Sequence, residues 1–170
     1  MRIVPIVAAT LSLFTVVLPA TAEHHEAASA SESMTYIDAS TSALEAMLKL
    51  PMDEPIHRLN MIRFKEKAEY EKGSEFAAKG WTGAQAYAEY RRHAGPIAGR
   101  LGSKSLYGGM SQLTVIGPEG QQWDSIFILS YPNVLALKGL SEDPEYRKHA
   151  FHRTAGVADS RLIRMAPSAE

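Results

Sequence analysis

Residues 56–64 read Ile56-His57-Arg58-Leu59-Asn60-Met61-Ile62-Arg63-Phe64, bounded by Pro55 on one side and a charged run on the other. Successive side chains of a strand point to opposite faces. Leu59 and Met61 therefore share one face, and Arg58, Asn60, Ile62 and Phe64 share the other, with Arg63 opposite Asn60. This alternation predicts the first strand of the fold.

Working outward, residues 65–80 are charged, carry two glycines and predict a loop. Thr82 and Gln85 have capping-box spacing. Tyr87, Tyr90, Ala94, Ile97 and Leu101 then step by three and four, which predicts a helix closed by Gly102. Gly95-Pro96 inside it predicts a kink or split, because proline lacks the amide that the helix needs. Residues 104–116 and 122–131 predict two strands joined by Gly117-Pro118-Glu119-Gly120 as an antiparallel hairpin. Gly108-Gly109 predicts a bulge or a close backbone approach, opening beside Tyr107. Ile126 to Leu129 is continuously apolar, as in a central strand. Asn133 caps a short helix, Asp143-Pro144 opens another running to about residue 155, and residues 161–165 alternate as a last strand. Upstream, residues 43–50 predict a short helix stopped by Pro51.

The order is β-α-β-β-α-β, the split βαβ plan. It predicts an α+β, ferredoxin-like sandwich, an antiparallel sheet with helices on one face. The other face then needs a cover, and pairing sheet to sheet as a homodimer, a dimeric α/β barrel, is the economical one.

The whole chain sets outer bounds. Its 170 residues suit one domain with a real core, and a net charge of −1 with 22% charged residues gives no basic face for nucleic acid. With no cysteine, disulfides, thiolate metal sites and cysteine nucleophiles are excluded. Met1-Arg2, an apolar run to Leu18 and the small-x-small Ala20-Thr21-Ala22 form a signal-peptide pattern. It predicts cleavage after Ala22 and a periplasmic or secreted product with no stable membrane association. Residues 23–42, rich in Ala, Ser, Glu and His, predict a flexible leader. Residues 43–55 are the short helix and connector, 56–166 the domain and 167–170 a tail.

Leu59-Asn60-Met61-Ile62-Arg63-Phe64-Lys65, Tyr87-Ala88-Glu89-Tyr90, Trp123-Asp124-Ser125-Ile126, Asp143-Pro144-Glu145-Tyr146, His152-Arg153 and Ala158-Asp159-Ser160-Arg161-Leu162-Ile163 together resemble the domain-of-unknown-function family 1330. That family lies in the dimeric α/β-barrel superfamily. The resemblance spans roughly residues 56–166 and implies a ferredoxin-like fold and a barrel-forming dimer, without implying an activity. Tyr131-Pro132 stands where the family usually has Phe-Pro, and the signal and leader are additions to the domain.

No P-loop, His-Glu-x-x-His, nucleophile elbow or dinucleotide fingerprint is present, and no cofactor is expected. Two readings remain. In the first, the protein is a cofactor-free enzyme, monooxygenase- or isomerase-like, acting on a small aromatic or carbonyl compound. His93 would be the base and Asn60 would bind an oxygen, with Arg63, Tyr87, Tyr90, Tyr107, Asp124 and Arg153 holding the ligand. Tyr87, Tyr90 and His93, three apart, would share one helix side. In the second, the same groups serve a non-catalytic ligand-binding or stress-related dimer, with Arg153 pairing Asp124 or Asp159. His149 and His152, three apart, are weak metal candidates. His25, third from a free amine after cleavage, is another, in a square-planar site for copper(II) or nickel(II).

Overall fold

The computed structural model describes residues 35–168. Strands β1 (Ile56–Phe64), β2 (Lys104–Gly109), β3 (Ser125–Tyr131) and β4 (Val157–Met165) form one antiparallel sheet in the order β2-β3-β1-β4. Five helices accompany it: α1 (Thr41–Leu48), α2 (Gly83–Arg100), α3 (Val134–Glu142), α4 (Pro144–His149) and α5 (Phe151–Gly156). This is the ferredoxin-like α+β fold, with β3 and β1 as its two inner strands, β3 where the continuous apolar run Ile126 to Leu129 places it.

The helix starts follow their side chains. Thr82 Oγ1 accepts from Gln85 N while Gln85 Oε1 accepts from Thr82 N, so the capping box is closed in both directions. Asn133 Oδ1 accepts from Ala136 N, and Asp143 Oδ1 from Glu145 N and Tyr146 N, with Pro144 in the first turn. Helix α2 runs unbroken through Pro96. The expected split does not occur because Pro96 sits on the solvent side, where water can serve the carbonyl that the missing amide leaves free.

Side chains on the Arg58–Asn60–Ile62 face of β1 meet the helices. Ile56, Tyr131 and Val134 form one core cluster, and Ile62, Tyr87 and Val157 a second; Ile97, Ala98 and Leu140 join α2 to α3. The opposite face presents Leu59, Met61, Ile126 and Ile128 half-buried, and Tyr107 and Ile163 exposed.

Three element expectations need correction. Strand β2 ends at Gly109, not at residue 116, and β3 begins at Ser125. The alternation of residues 110–116 is not used: β3 is spent pairing with Lys104–Gly109, and Met110 and Ile116 are 86% and 94% exposed. The β2 register shift falls between Ser105 and Tyr107, before the glycine pair. Gly109 instead lies against the Tyr107 ring, whose exposed hydroxyl end would swing aside for a Cβ. The helix after Pro144 is interrupted at Ala150 and gives way to β4 at Val157, four residues earlier than expected.

The described end of the leader is docked. Tyr36 N donates to Asp159 Oδ1 at 2.8 Å and Ser160 N to Tyr36 O at 2.7 Å, laying this segment along β4. The signal pattern, the Ala22 cleavage point and His25 lie outside the described residues. Among the described residues, no helix is long and apolar enough to cross a membrane.

Candidate functional site

Between α2 and the helix-facing side of the sheet lies an open cleft of about 1560 Å³. Strand alternation sends Arg58, Asn60 and Ile62 into it from β1, and Phe127, Leu129 and Tyr131 from β3. Helix periodicity brings Tyr87, Tyr90, Arg91, Ala94 and Ala98 from α2. Tyr146 of α4 and Arg153 of α5 close one side, and α1, none of whose residues is buried, flanks another.

The walls are aromatic and the polar groups are donors. Tyr87 and Tyr90 stack obliquely at 5.4 Å, and Tyr90 meets Tyr146 edge-on at 6.0 Å with hydroxyls 3.2 Å apart. Burial pushes the Tyr90 phenol well above its ordinary range, and the Tyr146 hydroxyl adds to this, so it is a neutral donor at any physiological pH. Burial also raises Tyr87, opposed by the positive charges of Arg153, Arg91 and Arg58; the fields of three guanidiniums meet at this phenol. Asn60 is buried. Its Nδ2 donates to Arg58 O at 3.1 Å, and its Oδ1 accepts from Arg58 Nη2 at 3.3 Å. Arg58 also lies over the Tyr131 ring at 5.5 Å.

The cleft thus gathers Asn60, Tyr87, Tyr90 and Arg153 from the expected set and leaves out four. His93 is turned away, because each three-residue step rotates backwards by about 60° around a helix. Two steps from Tyr87 carry it to the flank facing α4. There its Nε2 lies 3.2 Å from Glu89 Oε1 and 2.7 Å from Arg92 Nη2. Hydrogen bonds from Arg92, then from His93, hold the Glu89 carboxyl down to about 2. Asp124 closes the end of β1: its Oδ2 accepts from Phe64 N at 2.6 Å. Arg63 and Tyr107 lie on the opposite face of the sheet. Arg153 pairs with neither Asp124 nor Asp159. Its Nη2 donates to Ile37 O at 2.7 Å and its Nη1 approaches Asp38 at 3.3 Å, while Asp159 takes Arg161 at 2.6 Å.

The histidines are structural neighbours. His93 and His149 stack in parallel at 3.4 Å, and His152 lies to the side of both in the same orientation, 6.1 Å from His149 and 6.4 Å from His93. Lone pairs lie in the ring planes, so parallel rings do not aim them at one point, and among the described residues no three His, Asp or Glu are arranged to hold a metal. His152, 1% exposed, is a core residue. Tyr70 OH sits 2.8 Å from its Nδ1, and Phe76 and Phe151 flank its ring.

Sequence reasoning passed over four cleft residues. Arg58 was readable, since alternation puts it beside Asn60. Arg91 was readable as the residue four beyond Tyr87. Tyr131 and Tyr146 carried no signal of their own, because only the tertiary fold brings β3 and α4 to this space.

No protein-family model and no curated protein matches the chain. Among solved structures, a DABB-family protein with a ferredoxin-like fold from Mesorhizobium loti is similar at 11% identity and a TM-score of 0.42, over 68% of this chain and 98% of that one. RPA0582, a protein of unknown function from Rhodopseudomonas palustris, is far more similar: 38% identity and a TM-score of 0.72 over 81% of this chain and all of that one. A structure of methylated RPA0582 gives 40% and 0.73 over 80% and 98%. The chain belongs to the family of the RPA0582 protein.

Proposed function

We propose that this protein is an exported homodimer of family 1330 type that binds a small organic molecule with a flat apolar body. The observation that carries the binding reading is the cleft, whose walls hold the rings of Tyr87, Tyr90, Phe127, Tyr131 and Tyr146. Concave sites with apolar walls and a few converging polar groups are where small ligands bind. The dimer reading rests on the other face of the sheet, where Leu59, Met61, Ile126, Ile128 and Ile163 form an apolar surface that a second copy would cover. Export rests on the pattern of residues 1–22.

Binding has more support than turnover. General-base catalysis asked for His93, which lies outside the cleft, and the phenol of Tyr90 is held protonated. The tyrosines and Asn60 of the cleft stabilise and orient, and the one carboxylate lining it, Asp38, is engaged by Arg153.

Gly95 gives a clean test. It lines the cleft, and a Cβ there meets nothing within 4 Å. In Gly95→Trp the indole should fill the space without straining the fold. Fluorescence titration with 2-naphthamide should show saturable binding to the native protein, and at least tenfold weaker binding to a variant of unchanged melting temperature. Equal binding by both proteins would place the ligand elsewhere.

A further inference from the structure

Among the described residues, four of nine arginines pair with an acid: Arg92 with Glu89, Arg100 with Asp143, Arg153 with Asp38 and Arg161 with Asp159. Arg58 makes no ion pair among the described residues. Its Nε is buried with no hydrogen-bond partner, its Nη1 only grazes Tyr131 OH at 3.5 Å, and its Nη2 reaches the neutral Asn60 amide. Removing a guanidinium from water is strongly unfavourable unless an opposite charge and hydrogen bonds compensate. Arg58 is half-buried, and its compensation is two long contacts to neutral groups and the face of the Tyr131 ring at 5.5 Å.

Its surroundings deepen the imbalance. Arg91 lies over the Phe127 ring at 5.6 Å and also makes no ion pair. Arg153 is met by Asp38, the one carboxylate lining the cleft, whose side chain is 81% exposed. Arg164, across the sheet from Arg58, is spent on the backbone carbonyls of Met47 and Pro51. Five arginines, Arg161 with its Asp159 partner among them, thus line one aromatic-walled space whose lining holds a single acid, at its rim.

We infer that the ligand of this cleft is an organic anion, a planar aromatic carboxylate or a compound of the same charge and shape, whose charged end is held by Arg58 with Arg91 and Arg153 beside it. A guanidinium presents paired donors that match a carboxylate, and the rings of Tyr87, Tyr90 and Phe127 accept the flat body. Asn60 acts as a positioning residue: both ends of its amide are bonded to Arg58, fixing the guanidinium at the floor of the cleft.

This inference rests on the cleft being a binding site, and one pair of probes separates the two claims. 2-Naphthoate and 2-naphthamide have the same ring system and differ in charge. Titrated into the full mature protein at neutral pH and low salt, 2-naphthoate should bind at least tenfold more tightly than 2-naphthamide. In Arg58→Met that preference should collapse to within about twofold. A second readout needs no ligand: the melting temperature of Arg58→Met should exceed that of the native protein, because a half-buried charge with no ion pair and a buried, unpartnered Nε has been removed. Equal affinity for both probes, or an undiminished preference in Arg58→Met, would overturn the anion site and leave the cleft reading standing. Failure of both probes to bind would overturn the cleft reading and this one together. An Arg58→Met variant less stable than the native protein would show the guanidinium to be already satisfied and remove the premise.

Discussion

Two pairs of glycines in the helical layer behave in opposite ways. Gly83 at the start of α2 and Gly156 at the end of α5 are in backbone contact. A Cβ on Gly83 would lie 2.4 Å from both Gly156 O and Lys65 O, and one on Gly156 would lie 2.5 Å from Gly83 O. Hydrogen bonds from Gly83 N to Lys65 O and from Lys65 N to Gly156 O lock α2, α5 and the end of β1 together. Gly95 and Gly99, three turns further along α2, face open space and line the cleft. The helix is therefore clamped at its first turn and leaves open space beside Gly95 and Gly99 in its second half. The same helix thus secures the fold at one end and lines the cleft from Tyr87 to Gly99.

The largest test of that contrast is a pair of identical substitutions. Gly83→Ala should destabilise the protein by about 3 kcal/mol or more, since the opposing atoms are backbone and cannot step aside. Gly95→Ala should instead stabilise it by up to about 1 kcal/mol through helix propensity alone. Urea denaturation of both variants checks this, and similar values for the two would dissolve the distinction between the ends.

A smaller effect is expected where the clamped end meets the aromatic cluster. Tyr70→Phe removes the hydroxyl that lies 2.8 Å from the Nδ1 of the buried His152. It should lower stability by about 1–3 kcal/mol, the range for leaving a buried polar atom unpaired. A change within a few tenths of a kcal/mol would mean that water or another group serves that nitrogen.

The gentlest test uses pH. Burial, with the neighbouring charge of His93 and His149, holds His149 and His152 below the ordinary histidine range. Glu89 opposes this at both rings and Glu145 at His149, while Arg92 reinforces it at His149 and Lys79 at His152. A histidine whose folded-state value is depressed is neutral in the folded chain while the unfolded chain takes up a proton. Stability should therefore fall as pH drops below about 6.5, the ordinary histidine value. The loss should continue until the folded-state values are passed. Tyr87 and Tyr90 of the cleft are pushed upward, away from this range, so the midpoint of thermal unfolding should drop between pH 7 and 5 while 2-naphthamide affinity, read below the transition, stays level. A parallel loss of affinity would couple the two ends.

Much of this molecule is legible in its amino acids. Thr82 with Gln85, Asn133, and Asp143 with Pro144 each name a helix start through a bond the side chain then makes, so local chemistry was enough. β1 was legible because alternation is a local property too. The site was legible only in part. Tyr87 and Asn60 follow from faces of single elements, whereas His93 was misplaced by two helical steps whose rotation accumulates. The strand expected over residues 110–116 failed for a tertiary reason: a strand needs a neighbour, and pattern alone does not supply one. The seat of Gly83 on Gly156 and the missing counter-charge of Arg58 are both relations between distant segments, which no reading of one segment contains.

The central claim, a dimer with an occupied cleft, is most directly tested by native mass spectrometry of mature protein purified from producing cells without added ligand. The account predicts twice the mass of a chain beginning at Glu23, plus a retained small organic molecule that Gly95→Trp no longer carries. A bare monomer, or a retained molecule that Gly95→Trp keeps, would contradict it.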